Sequence, residues 1–389
     1  MEIEGQPART EHHRGSHRHL VDLITPGAVT GRARVDAIIV PTIRHPRWLH
    51  HAVRLAARLG CPLVTLHSRR WSRADRAAAT MPDDVRYLAI DVDDTTRLNL
   101  PDFATTALVK DSIFKRATDL GAKRNLGLLL ANLMGWERVI FLDDDIVVGG
   151  HEDVERAAAL LDRYDAVGMH IGGYPDNSVV CHAHRLTGGH QDSFLGGGAL
   201  AVETFRNPSF FPNVYNEDWF YLLDDTSLRR LAVTGMVRQR AYDPFDRPAR
   251  ARDQEFGDVL AEGVYWLLDS AKDGSWAAAA GARHWAGFLA RRRAFILDVL
   301  LRVKRLPPGS EPDPQAMEAS LRAALGRVSR IEPAFCVAYI EAWKRDRLRW
   351  IEHLKKHTLL AADVPDALKW LVKDGAPGLN YQHRTDPRP

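Results

Sequence analysis

Cysteine is scarce in this chain, and so are long apolar runs and an excess of either charge. The three cysteines, Cys61, Cys181 and Cys336, lie far apart in a sequence of 389 residues. An odd and scattered set argues against a disulfide framework and fits a reducing compartment, so we expect a cytoplasmic protein. No stretch reaches the ~18 uncharged apolar residues of a membrane span, and the N-terminus lacks the apolar core of a signal peptide. We therefore expect neither a transmembrane segment nor export.

The charge balance gives no indication of a nucleic-acid-binding protein. Lysine and arginine number 53 and aspartate and glutamate 50, so nothing in the composition requires nucleic acid as a partner. With 45% hydrophobic residues the chain can build a sizeable globular core. Residues 1–34 are polar, rich in histidine and arginine and without periodicity, which predicts a disordered tail.

The pattern changes at residue 35, where apolar strand signals begin to alternate with helical ones. Strands are predicted over residues 35–40, 61–68 and 85–91, and a helix over 46–59 that stops at Gly60. This order predicts an α/β fold with an open, mostly parallel, Rossmann-like twisted sheet flanked by helices. Ligands of such sheets bind at the carboxyl ends of strands, which makes candidate nucleotide contacts of Pro41, Thr42, Arg44 and Ser68.

The run V-I-F-L-D-D-D-I-V-V at residues 139–148 is the strongest candidate site. Three carboxylates follow a short buried strand, and side chains alternate across a strand, so Asp143 and Asp145 are expected on one side and Asp144 on the other. Two carboxylates on one side can share a hard divalent cation. The alternative is a solvated acidic turn.

A basic pair precedes this strand. Lys123 and Arg124 begin a predicted helix that ends at Gly135. Two cations oppose the dipole at a helix N-terminus unless an anion lies between them and the helix, and a diphosphate would be such an anion. The alternative is a solvated basic turn.

Two further motifs follow the acidic strand. Gly197 and Gly198 belong to a run of three glycines, which permits close backbone approach to a ligand or to a neighbouring strand. Glu217 and Asp218 precede the aromatic pair Trp219-Phe220. A carboxylate against aromatic rings is partly desolvated and suits a general base, and the alternative is an N-cap box that opens a helix.

The order of these motifs, from the Pro41-Thr42 strand end through K-R-N, F-L-D-D-D and G-G-G to E-D-W-F, resembles the GT-A glycosyltransferases, especially family 2 and its relatives, over residues 35–287. The resemblance implies a GT-A type sheet and a Mn²⁺ or Mg²⁺ ion bound by Asp145, with Asp143 facing ribose and metal. A late histidine followed by an aromatic completes the metal shell in that family, and His284 matches it. The alternative for His284 is a core histidine satisfied by backbone.

The resemblance also implies residue roles. Asp218 matches the catalytic base of inverting members, with Glu217 in support. The residues expected to bind the nucleotide sugar are Pro41, Thr42, Arg44, Ser68, Lys123, Arg124, Asp143, Asp144, Gly197 and Gly198. The strand over residues 61–68 ends in L-H-S, without the acidic residue that many members use for uracil, which leaves both UDP and GDP open.

The predicted function is a metal-dependent hexosyltransferase that uses a nucleotide-diphosphate sugar, with UDP-glucose as the type donor, and a hydroxyl of a small-molecule or saccharide acceptor, with inversion. Three alternatives are open. One is a retaining GT-A transferase acting on a small acid. Another is a haloacid-dehalogenase-type phosphohydrolase, because D-D-D-I-V satisfies D-x-D-x-[T/V], although about three strands precede it here. The third is a sugar-nucleotide-binding protein without catalysis.

The remainder of the chain is predicted to form helices that pack together. A catalytic domain over residues 35–290 is followed by a helical C-terminal extension over 291–389, with a proline-rich linker at 307–314. The basic, amphipathic helix near residues 291–305 would suit contact with an anionic membrane or with an acidic acceptor. The alternative is packing on the catalytic domain or on a partner subunit, as in a homodimer.

Overall fold

A computed structural model describes residues 11–175, 178–192, 194–270, 275–358 and 361–386. Ten strands lie within them: β1 (Asp22–Leu23), β2 (Ala37–Thr42), β3 (Leu63–His67), β4 (Tyr87–Asp91), β5 (Arg138–Leu142), β6 (Ile146–Val148), β7 (Ala166–Gly173), β8 (Ala199–Glu203), β9 (Leu231–Gln239) and β10 (Tyr381–Arg384). The helices are α1 (His50–Leu59), α2 (Ala74–Ala78), α3 (Ala104–Val109), α4 (Leu120–Met134), α5 (His151–Leu160), α6 (Val179–Leu186), α7 (Glu217–Tyr221), α8 (Pro248–Ser270), α9 (Trp276–Ala279), α10 (Ala282–Val303), α11 (Pro314–Val328), α12 (Pro333–Lys356) and α13 (Val364–Trp370).

All ten strands join one sheet, in the order β1-β9-β7-β8-β5-β2-β3-β4-β10, with β6 paired to β9. β2, β3 and β4 are parallel neighbours in chain order, whereas β5 pairs in parallel with the other side of β2. After β4 the chain crosses back through α3 and α4, and β5 then extends the sheet on the other side of β2. The order of strands therefore changes direction between β2 and β5. Ligands bind outside the carboxyl ends of the strands at such a switch point. The predicted α/β class with a mostly parallel sheet and a helical C-terminal region is confirmed, and the antiparallel β6, β8 and β10 make the sheet mixed.

Two apolar cores lie on opposite faces of this sheet. Ile38 and Val40 of β2 pack in one core with α1 and α5, and Ile39 packs in the other with α4. Neighbouring residues belong to different cores because side chains alternate along a strand. Burial on both faces explains why β2 and β5 appear in the sequence as continuous apolar runs.

The structure differs from the prediction of a disordered tail over residues 1–34. Residues 1–10 lie outside the described part of the chain, whereas residues 11–34 pack on the domain. β1 pairs in parallel with β9, and His17 is buried with its Nδ1 2.6 Å from Oδ2 of Asp269. Polar side chains make many of these contacts, so the segment carries no apolar periodicity by which the sequence could reveal it.

The C-terminal region is joined to the rest of the chain more closely than the predicted boundary suggests. α10 runs through position 290, at which the sequence analysis separates the two regions. β10 then returns to pair with β4 at the edge of the sheet. The C-terminal residues thus contribute both a helical layer and a strand.

The basic helix α10 packs within the chain. Phe295, Ile296 and Val299 are buried in the same core as residues of α8, α11 and α12, while Leu297 and Leu301 on its other side are exposed. Its apolar face is therefore covered by neighbouring helices, which agrees with the alternative of intramolecular packing. Within the described ranges, no helix is both long and apolar enough to cross a membrane.

Candidate active site

The three aspartates of the D-D-D motif lie in a turn at the switch point. β5 ends at Leu142, and Ile146 N–H donates to the Asp143 carbonyl at 3.1 Å to close the turn before β6. Strand alternation therefore does not apply to the aspartates. Arg44 binds Asp144 and Asp145 together, whereas Asp143 faces Arg124, so the expected division of the three side chains between two sides does not describe their hydrogen-bond partners.

A cavity of about 220 Å³ opens beside this turn, and we call it the strand-end cavity. Seven of the predicted site residues line it: Pro41, Thr42, Arg44, Lys123, Asp143, Asp144 and Asp145. Thr42 Oγ1 donates to Asp144 Oδ2 at 2.5 Å, and Arg44 Nη2 donates to Asp145 Oδ2 at 3.0 Å. Burial raises the pKa of Asp144, and the guanidinium of Arg44 opposes that rise. The first loop and the acidic turn thus form one polar wall.

Lys123 lies deeper in the structure than a basic residue at a helix start is expected to lie. Helix α4 begins at Leu120, so Lys123 lies inside its first turns, and its side chain is buried. Its ammonium donates to the Thr42 carbonyl at 2.9 Å and to Ser68 Oγ at 2.8 Å, and it pairs with Asp119 at 3.2 Å. An ammonium has three donors, and all three are engaged. Lys123 therefore ties the ends of β2 and β3 together, while burial lowers its pKa.

Arg124 joins the two acidic motifs. Its Nη2 donates to Asp143 Oδ1 at 2.9 Å and its Nη1 donates to Glu217 Oε1 at 2.8 Å, and its side chain is 2% exposed. Burial raises the pKa of Asp143 to about 7, and Arg124 opposes that rise. Burial likewise raises the pKa of Glu217 against the charges of Arg124 and Arg116. One guanidinium thus holds together groups that lie 74 positions apart in the sequence.

The glycine run brings Asp218 to the same place. β8 pairs antiparallel with β5, Ala199 opposite Leu142, so Gly198 lies next to Asp143. Gly197 N–H donates to Asp218 Oδ2 at 2.6 Å. A Cβ on Gly197 would lie 2.6 Å from Nη1 of Arg124 and 3.0 Å from Cβ of Asp218, so any other residue here would displace one of these side chains.

A second cavity, of about 200 Å³, lies beyond Asp143, and we call it the inner cavity. Arg124, Asp143, Gly198, Glu217 and Asp218 line it. Asp143 and Leu120 also line the strand-end cavity, so the two cavities adjoin at these residues. The predicted base thus faces a space that borders the acidic turn.

Sequence reasoning missed several groups of the inner cavity, among them Arg116, Asp258 and Glu262. Arg116 lies over the Tyr215 ring at 5.5 Å. Asp258 and Glu262 share a face of α8 with Glu255, and all three bind the buried Arg292. The spacing i, i+3, i+7 is the signal for this face, because charged residues in the stripe that should be apolar indicate a buried ionic cluster.

The structure does not bring His284 to the aspartates. It lies on α10, where its Nε2 is 3.0 Å from the Gly263 carbonyl oxygen, and it lines a separate cavity with Trp266 and Phe288. Burial lowers the pKa of His284. This corrects the expected metal ligand in favour of the alternative, a core histidine satisfied by backbone.

The remaining donors suit a hard cation. Asp143 and Asp145 line the same cavity, and carboxylate oxygens are the ligands that Mn²⁺ and Mg²⁺ prefer. Across the described residues no group of three or more histidine, cysteine or acidic side chains is arranged to hold a metal. Two carboxylates leave a hard cation mostly hydrated, so Asp143 and Asp145 would hold one only together with further oxygen ligands.

Comparisons with known proteins add two structural likenesses. No family model matches the sequence, and no curated protein matches it. The chain is similar to the mannosyltransferase PcManGT from Pyrobaculum calidifontis, solved with GDP-Man and Mn²⁺, with a TM-score of 0.37, 13% identity, and coverage of 82% of this chain and 88% of that one. It is also similar to a putative nucleotide-diphospho-sugar transferase from Desulfovibrio desulfuricans G20, with a TM-score of 0.29, 12% identity, and coverage of 53% and 82%. Both TM-scores are below 0.5, so the functional assignment depends on the site itself.

Proposed function

We propose that this chain is a metal-dependent glycosyltransferase. It moves a hexose from a nucleotide-diphosphate sugar, with a UDP-sugar as the favoured donor, to a hydroxyl of a small-molecule or saccharide acceptor, with inversion. The observation that supports this most strongly is the pair of cavities that adjoin at Asp143 at the switch point. One offers carboxylates to a divalent ion and the guanidinium of Arg44 to a diphosphate, and the other presents Asp218 to an acceptor.

The strand-end cavity suits the donor. Arg44 also binds Asp144 and Asp145, but its side chain is 38% exposed, whereas those of Lys123 and Arg124 are buried. Of these three predicted cations, Arg44 is therefore the one that can also reach a diphosphate. Asp143 and Asp145 would hold the divalent ion, which supplies positive charge opposite the leaving diphosphate. Arg124 keeps Asp143 in position from behind.

The inner cavity suits the acceptor. Asp218 is oriented by the Gly197 N–H, and it takes the proton of the attacking hydroxyl as general base. The acceptor oxygen bonds to the anomeric carbon while the bond from that carbon to the diphosphate oxygen breaks. The electron pair leaves with the diphosphate, and attack from the side opposite the leaving group inverts the anomeric centre.

A substrate panel tests the proposal. Wild-type protein with Mn²⁺ is given UDP- and GDP-linked glucose and mannose, each with and without free sugars as acceptors, and nucleoside diphosphate release is measured. The proposal expects release that an acceptor accelerates and that EDTA stops. Phosphate release from sugar phosphates without nucleoside diphosphate release would support the phosphohydrolase instead. Donor binding in calorimetry without any turnover would support a binding protein.

A further inference from the structure

The segment of residues 11–20, which we call the N-terminal strap, forms part of the inner cavity. His13, Arg14 and His17 line that cavity together with Asp218. Asp192 N–H donates to the Gly15 carbonyl at 2.7 Å, and Arg291 Nη1 donates to the Glu11 carbonyl at 2.9 Å. The strap is therefore held from two sides.

Asp269, at the end of α8, is the main anchor of the strap. Its side chain is 2% exposed, and its carboxylate oxygens lie 3.1 Å from Arg14, 2.6 Å from His17 and 2.8 Å from His19. Although burial opposes it, the hydrogen bond and charge of His17 together with Arg14 lower the pKa of Asp269. Arg14 also lies 4.2 Å from the Trp266 ring. Three strap side chains thus converge on one buried carboxylate.

The strap reaches the surroundings of the proposed base. The His17 ring lies 5.5 Å from Trp219 and 5.3 Å from Tyr265, and Trp219 follows Asp218 in the chain. Earlier in the strap, the His13 ring stacks on the Phe295 ring, with 3.9 Å between the ring centroids. The strap therefore limits the space into which an acceptor can extend from Asp218.

The wall that faces the strap carries excess negative charge. Arg292 binds Glu255 at 2.7 Å, Asp258 at 2.8 Å and Glu262 at 2.9 Å, so here one guanidinium faces three carboxylates. Asp258 and Glu262 also line the cavity, and the nearest strap group to Glu262 is His13, at 3.7 Å. Arg14, Arg116 and Arg124 also line the inner cavity, so its lining as a whole holds three guanidiniums against six carboxylates. An anionic ligand placed beside Asp258 and Glu262 would meet carboxylates, whereas hydroxyl and ammonium groups can donate to them.

We propose that the acceptor is a small polyhydroxylated molecule, neutral or bearing an amine, that is enclosed beneath the N-terminal strap, and that it is neither a polymer nor an acid. The inference rests on the proposed function and narrows its acceptor. It follows from three features of the inner cavity: a volume of about 200 Å³, the anchored strap, and the carboxylate wall.

The acceptor class is tested by nucleoside diphosphate release from the active donor. The probes are glucose, mannose and glucosamine, the 6-phosphates of glucose and mannose, and maltotetraose. At least one free sugar should exceed every phosphate and the tetrasaccharide at least tenfold in kcat/KM. A phosphate or the tetrasaccharide as the best acceptor, or acceleration by none of the free sugars, would overturn the inference. Absence of nucleoside diphosphate release from every donor would instead overturn the proposed function.

The strap is tested separately with Asp269→Asn and with the double variant Arg14→Ala/His19→Ala, which leaves Asp269 intact if the first variant folds poorly. Both should raise KM for the best acceptor at least fivefold and raise donor hydrolysis by water, while calorimetric affinity for UDP or GDP changes less than twofold. Asp165→Asn is the matched control, because Asp165 is also buried but receives the Arg230 N–H outside the cavity. Unchanged acceptor KM and hydrolysis in both strap variants would contradict the enclosure.

Discussion

Replacement of Arg124 by methionine removes the group that joins the two acidic motifs. Methionine fills the buried position with an apolar side chain and leaves Glu217, whose side chain is 8% exposed, without its cation. Removing one partner of a buried ion pair costs about 3–5 kcal/mol. An unfolding entropy of about 2.1 cal/mol/K per residue, over 389 residues, gives about 0.8 kcal/mol/K, so the melting temperature should fall by about 4–6 °C.

The second substitution of the cycle is Glu217→Gln, which replaces the unpaired carboxylate by a neutral amide. Added to Arg124→Met, it should recover about 0.5–3 kcal/mol of the loss, because contacting groups couple by such amounts. Burial already raises the pKa of Glu217, and loss of Arg124 raises it further. A raised folded-state pKa means stability that is present at low pH and lost as pH rises, so Arg124→Met should be more destabilised at pH 8 than at pH 5.

The measurement is thermal and urea unfolding followed by circular dichroism at both pH values. Arg229→Met is the matched control, because Arg229 is also buried but donates to the backbone carbonyls of Asn207 and Tyr221. Its loss should depend less on pH. Equal melting temperatures of wild type and Arg124→Met at pH 8, or a Glu217→Gln change that deepens the loss, would refute the reasoning.

Three further substitutions test other parts of the account. Asp145→Ala should abolish Mn²⁺-dependent binding of UDP and GDP in calorimetry, and equal binding in EDTA by wild type would contradict this. Lys123→Met should lower the free energy of unfolding by about 1.5–3 kcal/mol, because a charged group loses its buried hydrogen bonds. An unchanged melting temperature would show that these hydrogen bonds do not stabilise the fold. Burial raises the pKa of Glu255 to about 7, so the stability it contributes is lost as pH rises from about 4.5 through 7. Glu255→Gln should therefore flatten the decline of melting temperature between pH 5 and 7.5, and an unaltered slope would argue against this ionisation.

The sequence was most informative where local chemistry and periodicity agree. The apolar runs predicted β2 and β5, and helix α1 ends at Gly60, which adopts a left-handed φ of 60° as a helix-stopping glycine should. The order of strands then placed the D-D-D turn and the first loop at one sheet edge, where the structure has them in one cavity.

Side-chain direction was less predictable. The sequence showed Lys123 and Arg124 as a basic pair near a helix start, and their charge suggested exposure to an anion. In the structure both cations point inward. Lys123 pairs with Asp119, four residues earlier at the N-cap of α4, whereas Arg124 pairs with Asp143 and Glu217 from two motifs that are distant in sequence. Such pairing depends on tertiary contacts that no local pattern contains.

The strap and the acidic face of α8 were hidden for related reasons. Residues 11–20 contact the domain through histidine and arginine side chains, and a polar segment without periodicity resembles a disordered one. The acids of α8 stabilise the fold only because Arg292 of α10 faces them. Within its own helix, neither the acids of α8 nor Arg292 of α10 stands out as part of a buried ionic cluster.

The most direct test of the proposed transfer is the Asp218→Asn variant, assayed with the best donor and acceptor. Loss of a general base should lower kcat by about 10²–10⁴-fold, because asparagine keeps the shape of the side chain but cannot take the proton. Donor affinity in calorimetry should change less than twofold, and NMR of the wild-type product should show the inverted anomeric configuration. Near-normal turnover of Asp218→Asn, or a product with the donor's configuration, would contradict the account.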